Sequence, residues 1–230
     1  MSLTSTLTNS APKITGMVVK DASKEELTEL FIRVGRLQFI IIGLIVSGFT
    51  VFGPTFIKLW AGPDYADAYW VAILTMFPLC IPLIQNTGLS IVIAQNKHRF
   101  RSIVYLIIAI ANVVSTYLVV PTMGFIGAAF CSCIAYLVGQ GVIMNLYYYR
   151  VTGINIPLFW RNILMMAIIP GSMMIIGLLI FRCTECNSWL IFMGGVIAYS
   201  CIYAILMMIF ALNKYEKGII LGIIGRFYKE

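Results

Sequence analysis

Charged residues are scarce in this chain of 230 residues, in which Asp, Glu, Lys and Arg together make up only 11%. Soluble domains carry about 25% charged residues, and 60% of this chain is hydrophobic. The scarcity excludes an ordinary soluble domain. It is most extreme between Arg101 and Arg150, where 48 consecutive residues contain no charge. The composition therefore predicts an all-α, polytopic membrane bundle.

Groups that could carry out covalent chemistry are also few. The only histidine, His98, lies between Lys97 and Arg99 with no carboxylate nearby in the sequence, so a general base is not expected there. Cys183 and Cys186 have the spacing of half a zinc site, but a second pair with metal spacing is absent. Two free thiols or a local disulfide both remain open for this pair. We expect no enzyme, no cofactor and no bound metal.

The uncharged stretch between Arg101 and Arg150 is too long to cross a membrane once. As one helix it would measure about 72 Å, against a hydrocarbon core about 30 Å thick. Pro121 and Gly124 mark the place where it can stop and reverse. The sequence therefore predicts a hairpin of two spans, 102–120 and 125–149. Other uncharged runs predict four more spans, at 37–57, 68–94, 162–181 and 188–212.

The segments that flank the predicted spans are more polar. In residues 1–36 the apolar side chains at Leu27, Leu30, Phe31 and Val34 fall on one helical face. This pattern predicts a cytoplasmic amphipathic linker at the membrane surface, capped by Asp21 or Ser23. The apolar run in the tail, residues 213–230, is too short to cross and is expected at the membrane interface.

Basic residues are distributed unevenly between the two predicted sides. Fourteen of the 16 lie in the first 36 residues, in the second and fourth loops or in the tail, whereas Lys58 and Arg182 lie opposite. Such a bias predicts that both termini are cytoplasmic. It also accounts for the net charge of +7 without nucleic acid, which is not an expected partner.

Five side-chain amides within the predicted spans are candidates for lining a polar cavity: Gln85, Asn86, Asn112, Gln140 and Asn145. An unpaired amide in hydrocarbon is costly, so each should face protein or water. Hydrogen bonding between helices is the alternative role. Gln85 and Asn86 follow Pro78 and Pro82, which should break the second span, and interrupted helices of transporters often line the substrate path.

Several segments together carry a resemblance to a known family. They are 10–15, 52–60, 95–102, 112–121, 124–129 and 148–150, and they include Phe-Gly-Pro-Thr-Phe-Ile-Lys-Leu-Trp at 52–60. In order and spacing they resemble lipid-linked oligosaccharide flippases. These are the O-antigen and polysaccharide translocases of the multidrug/oligosaccharidyl-lipid/polysaccharide exporter superfamily.

The resemblance implies translocation of an undecaprenyl-diphosphate-linked oligosaccharide across the bacterial inner membrane during O-antigen and lipopolysaccharide biosynthesis. The five amides would then lie near the glycan, and Arg99 and Arg101 would pair with the diphosphate, unless they serve only to set the topology. Family members have 12 to 14 spans in two bundles, and this chain resembles the later part.

We therefore expect a lone chain to be incomplete for transport. Its expected partners are the lipid-linked glycan, membrane lipids, and a missing N-terminal bundle or polysaccharide-assembly proteins. Two other functions stay open: a non-transporting membrane scaffold or truncated remnant, and a multidrug-type exporter.

Overall fold

The computed structural model describes residues 23–182, 188–213 and 216–218, and within these ranges the chain forms helices and no strand. The prediction of an all-helical chain is therefore confirmed for this part. Cys183, Cys186, residues 1–22 of the predicted linker and residues 219–230 of the tail lie outside it. The main helices are α1 (Lys24–Trp60), α2 (Ala68–Ile84), α3 (Asn86–Ala94), α4 (His98–Tyr136), α5 (Ile156–Arg182) and α6 (Trp189–Leu206).

Short helical segments complete the chain. A 3₁₀ turn, Pro63–Tyr65, joins α1 to α2, and a π-helical segment, Met207–Ala211, follows α6. Between α4 and α5 the helix continues through a π-helical segment, Leu137–Met144, one α turn, Asn145–Tyr147, and a second π-helical segment, Tyr148–Thr152.

Helix α1 begins at a capping box. The Glu26 backbone N–H donates to Ser23 Oγ at 3.2 Å, and the Ser23 N–H donates to Glu26 Oε2 at 3.0 Å. This reciprocal pair satisfies two N–H groups that would otherwise lack acceptors, and it confirms Ser23 as the predicted cap. From this cap α1 runs unbroken to Trp60, so the predicted linker helix and the first predicted span form one element.

The apolar stripe of the linker packs inside the protein and not against a membrane surface. Leu27 is 4% exposed and Phe31 is fully buried. The Phe31 ring lies 4.6 Å from the ring of Phe159 on α5 and 6.0 Å from that of Tyr148. The periodicity indicated correctly that one face is buried, but it could not indicate which apolar surface covers that face.

The second predicted span is broken, as its two prolines predicted. Pro78 and Pro82 lie within α2, which ends at Ile84, and α3 starts at Asn86 with its axis bent by 45°. Because proline has no N–H, Pro82 leaves the carbonyl group of Pro78 without its helical donor. Gln85 occupies the break itself.

The predicted hairpin is present. Gly124 adopts φ 58° and ψ −146°, which divides the helical stretch Arg99–Thr152 into a first arm, residues 99–123, and a second arm, residues 125–152. Asn112 Nδ2 donates to Ser132 Oγ across the two arms at 3.3 Å. In a straight helix these residues would be about 30 Å apart, so the contact confirms that the chain doubles back.

Two apolar clusters hold the helices together, and α1 contributes to both. The first includes Phe31, Met144 and Phe159, and the second includes Phe52 and Tyr203. In the second cluster the Tyr203 hydroxyl also donates to the carbonyl oxygen of Ile40 on α1 at 2.9 Å. Helix α1 is therefore the element around which the others pack.

By length and apolar composition, four of the described helices are able to cross a membrane, or five if α2 and α3 form one broken span. In this count Arg99–Thr152 is a single helix, although its two arms fold back on each other. The architecture is thus a helical bundle suited to a membrane.

Candidate functional site

Three of the amides selected from the sequence meet inside the bundle. Gln85, at the break between α2 and α3, is 2% exposed, and its Nε2 donates to Asn145 Oδ1 at 2.7 Å. The same oxygen accepts a hydrogen bond from Trp160 Nε1 of α5 at 3.0 Å. Asn145 is itself buried, so its side chain ties together the broken span, the second arm and α5.

The Asn145 amide also contacts the π-helical segment that precedes it. Its Nδ2 donates to the carbonyl oxygens of Gln140 and Gly141 at 2.9 and 2.8 Å. A π-helical turn widens the helix and disturbs its regular hydrogen bonding, and such turns are frequent at functional sites. Here the Asn145 side chain supplies donors to carbonyl groups of the widened turn.

The third amide, Gln140, extends the polar contacts toward the basic loop. Gln140 Nε2 donates to the Tyr105 hydroxyl, which also accepts from Arg101 Nη2 at 2.7 Å. The Arg101 guanidinium carbon lies 4.6 Å from the centre of the Tyr105 ring. We call this run of side chains the amide network; it consists of Gln85, Asn145, Trp160, Gln140, Tyr105 and Arg101.

Two buried atoms of the amide network have no hydrogen-bond partner among the described residues: Gln85 Oε1 and Arg101 Nε. A buried polar atom without a partner costs about 1 to 3 kcal/mol. Within the described part of the chain, no carboxylate lies at ion-pair distance from Arg101. The network therefore contains two polar atoms that its own residues leave unsatisfied, and its basic end has no counter-charge within the described residues.

The other candidates lie apart from this chain of contacts. Asn112 bonds to Ser132 and accepts from Thr116 Oγ1 at 3.5 Å, and it lines a groove of about 310 Å³ between the two arms. Tyr105 and Gln140 line the same groove, which places Asn112 beside the network. Asn86 and Arg99 are exposed.

An apolar cavity lies next to the amide network. It has a volume of about 330 Å³ and is bounded by α1, α2, α5 and Leu137 of the second arm. Trp160 belongs to both features, because its ring lines the cavity while its Nε1 binds Asn145. We call this cavity the apolar slot.

A buried ion pair closes one end of the bundle. Arg36 of α1 donates from Nε and Nη2 to the two carboxylate oxygens of Glu216 at 2.6 and 2.9 Å. Arg36 Nη2 also donates to the Ala211 carbonyl oxygen at 2.8 Å, and the Asn213 N–H donates to Glu216 Oε2 at 2.8 Å. The pair joins α1 to the segment after α6.

Sequence reasoning missed Trp160, Tyr105, Arg36 and Glu216 as members of these features. Trp160 and Tyr105 lie near the basic loops, where aromatic residues are expected at a membrane interface in any case. Arg36 was counted only as a charge that sets orientation. A sequence signal does exist for Glu216, since it is the only acidic residue between Glu185 and Glu230.

The described part of the chain contains no group of three His, Cys, Asp or Glu side chains that could hold a metal ion. The side chain of His98 and the pair Cys183 and Cys186 lie outside that part. Its cysteines are Cys80, Cys131, Cys133 and Cys201, and all four are free thiols.

The described residues form a class of structure: a helical bundle whose helices are long and apolar enough to cross a membrane, with a hydrogen-bonded polar network inside it. Comparison with known proteins adds no narrower family, because no family model, curated protein or solved structure matches the chain.

Proposed function

We propose that the chain takes part in moving an undecaprenyl-diphosphate-linked oligosaccharide across the bacterial inner membrane for assembly of O-antigen and related surface polysaccharides. In this proposal the chain crosses the membrane six times, with both termini in the cytoplasm. The observation that carries the proposal is the amide network, a run of polar side chains that extends from the break at Gln85 to Arg101.

The chemistry of the network suits a sugar. Sugar hydroxyl groups donate and accept hydrogen bonds, and side-chain amides do both as well. Gln85 Oε1 is buried and has no partner among the described residues, so a hydroxyl group of the cargo that reached it would supply the missing hydrogen bond. A neutral amide also costs less to bury than a charged group, which agrees with the absence of charged residues from the predicted spans.

The basic end of the network suits a diphosphate. Arginine binds phosphate through a planar set of donors, often two at a time, and Arg101 has no carboxylate partner among the described residues. Stacking on Tyr105 holds its guanidinium in place. The exposed Arg99 lies two residues away and would add positive charge at the same entrance.

The deciding experiment measures binding to the purified chain in lipid nanodiscs. One ligand is a polyprenyl diphosphate that carries an oligosaccharide, and the other is the same lipid without the sugar. We expect the sugar to add affinity to the unmodified protein. Gln85→Leu should remove this gain and leave binding of the sugar-free lipid unchanged, while Asn86→Leu, one residue along and exposed, should keep both affinities.

The basic entrance has its own variant in the same assay. Arg101→Gln should weaken binding of both ligands by about tenfold or more, since hydrogen bonds to charged groups are worth about 1.5 to 3 kcal/mol. Arg161→Gln, which changes an exposed basic residue of α5, should have no such effect. If the sugar adds no affinity to the unmodified protein, the flippase proposal fails and a non-transporting scaffold becomes the better description.

A further inference from the structure

The apolar slot is elongated along the helices. Its wall on α5 extends from Trp160 to Met174, and its wall on α1 extends from Phe39 to Ser47. At roughly 1.5 Å per residue these walls are about 21 and 12 Å long. A volume of about 330 Å³ distributed over such a length leaves only a narrow cross-section. The slot therefore fits an extended, thin occupant better than a compact one.

The lining of the slot offers almost nothing to a polar occupant. Apart from Ser47 and Cys80, whose side chains already donate to carbonyl groups of their own helices, the wall is apolar. The Trp160 N–H, at one end of the slot, is already bound to Asn145. A sugar or a diphosphate would lose its hydrogen bonds on entering, whereas a hydrocarbon chain would lose none.

The slot opens sideways between α2 and α5. Phe77 of α2 and Leu164 of α5 both line it, and yet they are 61% and 63% exposed. Leu164 lies within a helix long and apolar enough to cross a membrane, and Phe77 lies in α2, which qualifies only together with α3 as one broken span. In a membrane this opening would therefore face the region that lipid chains occupy. A chain could enter from there without passing through water.

We propose that the apolar slot is a binding site for one hydrocarbon chain of a membrane lipid, either an acyl chain or a polyprenyl chain. With an acyl chain the proposal depends only on insertion of the bundle into a membrane. With a polyprenyl chain it rests on the proposed function, because the slot then holds the lipid part of the cargo while the neighbouring amide network binds its sugar.

The test uses the full chain in nanodiscs with two photoreactive lipids. One is a phospholipid with a diazirine on its acyl chain, and the other is a polyprenyl diphosphate with a diazirine on its isoprenoid chain. After irradiation, mass spectrometry locates the modified residues. We expect at least one of the two probes to modify slot residues on α1 and α5. Competition with the unlabelled form of the other lipid shows which source the slot prefers.

Two glycines provide a matched pair of variants. Gly171 lines the slot, and a Cβ atom built there meets no atom within 4 Å, so the Cβ of Gly171→Leu has room and the side chain should occupy part of the slot. Gly194 of α6 is equally open but does not line the slot, so Gly194→Leu is the control. Labelling of slot residues should fall to background in Gly171→Leu and stay unchanged in the control.

Ala167→Leu is a second variant that should fill the slot. The thermal unfolding temperature of each protein shows whether a loss of labelling reflects a filled slot or an unfolded protein. The proposal is overturned if neither probe modifies the slot, or if a correctly folded Gly171→Leu protein is labelled like the unmodified one. If the acyl probe labels the slot but the sugar adds no affinity in the nanodisc binding assay, the lipid-site proposal holds and the flippase proposal fails.

Discussion

Removing one partner of the Arg36–Glu216 ion pair should destabilise the whole bundle. The Arg36 and Glu216 side chains are only 8% and 3% exposed. The Glu216 carboxylate accepts three N–H donors, two from Arg36 and one from Asn213. In Glu216→Gln the new NH₂ group would face one of these donors, and the Arg36 charge would stay buried without its counter-charge.

The magnitude follows from the burial of the pair. Breaking a buried ion pair by removing one partner costs about 3 to 5 kcal/mol, because the remaining charge is uncompensated. For a chain of this length each kcal/mol corresponds to roughly 2 to 4 °C in the midpoint of thermal unfolding. We therefore expect Glu216→Gln to lower that midpoint by about 6 to 20 °C, measured by circular dichroism on the purified chain in detergent micelles.

A second ion pair provides the control. Glu29 and Arg33 approach to the same distance, 2.6 Å, but their side chains are 71% and 41% exposed. An exposed pair one helical turn apart contributes only about 0.3 to 0.5 kcal/mol, so Glu29→Gln should change the midpoint by about 2 °C or less. Equal shifts in Glu216→Gln and Glu29→Gln would refute the reasoning from burial.

The double variant Arg36→Met with Glu216→Leu tests the cause of the loss. Replacing both members of a buried pair with apolar residues of similar size is often neutral or stabilising. The double variant should therefore be more stable than Glu216→Gln alone. The single variants Arg36→Met and Glu216→Leu complete the comparison. If their effects on the free energy of unfolding simply add in the double variant, Arg36 and Glu216 are not energetically coupled and the contact is incidental.

Two glycine substitutions test the hairpin and the broken span by the same unfolding measurement, with Gly194→Ala on α6 as the control for both. Gly124→Ala should lower the free energy of unfolding by about 1 to 3 kcal/mol, because the φ and ψ of Gly124 suit only glycine. Backbone strain would be the only cause, since the added Cβ would meet no atom within 4 Å. Gly88→Ala should lower the free energy of unfolding by about 2 kcal/mol through overpacking. The added Cβ would lie 2.8 Å from Tyr148 Cζ and 2.9 Å from Phe31 Cε2. A variant as stable as the control would contradict the account of that site.

Features set by local rules were predictable from the sequence. The hairpin follows from a length argument plus one proline and one glycine, and the break at Gln85 follows from two prolines that lack N–H groups. The residue types at the start of α1 predicted a cap at Asp21 or Ser23, and the structure has it at Ser23. Each of these depends on neighbouring residues or on the length of one continuous uncharged run, so no knowledge of the packing is needed.

Features that depend on packing were not predictable. Arg36 and Glu216 are 180 positions apart, and nothing in the neighbourhood of either residue indicates the other. The role of Trp160 depends on how α5 lies against the second arm, and the stripe at Leu27 and Phe31 could as well have faced lipid. Periodicity indicates that a face is apolar, but the surface that covers it is decided by the tertiary fold.

The side chains of Gln85, Asn145 and Gln140 carry no charge, and this bears on how the network could bind a cargo. A charged group in the middle of the bundle would need a permanent partner, since an unpaired buried ion costs several kcal/mol, and a permanent partner would compete with any cargo. Gln85 instead donates to Asn145, and Asn145 donates to the backbone carbonyl of Gln140. Such hydrogen bonds are worth only about 1 kcal/mol net each. Exchange of one such bond for a bond to a sugar hydroxyl would be nearly balanced in free energy, which would let the proposed cargo be both bound and released. Charge is confined to Arg101 at the basic end of the network and to the closed pair of Arg36 and Glu216. This separation is the reason that Gln85→Leu, and not Arg101→Gln, should divide recognition of the sugar from recognition of the lipid.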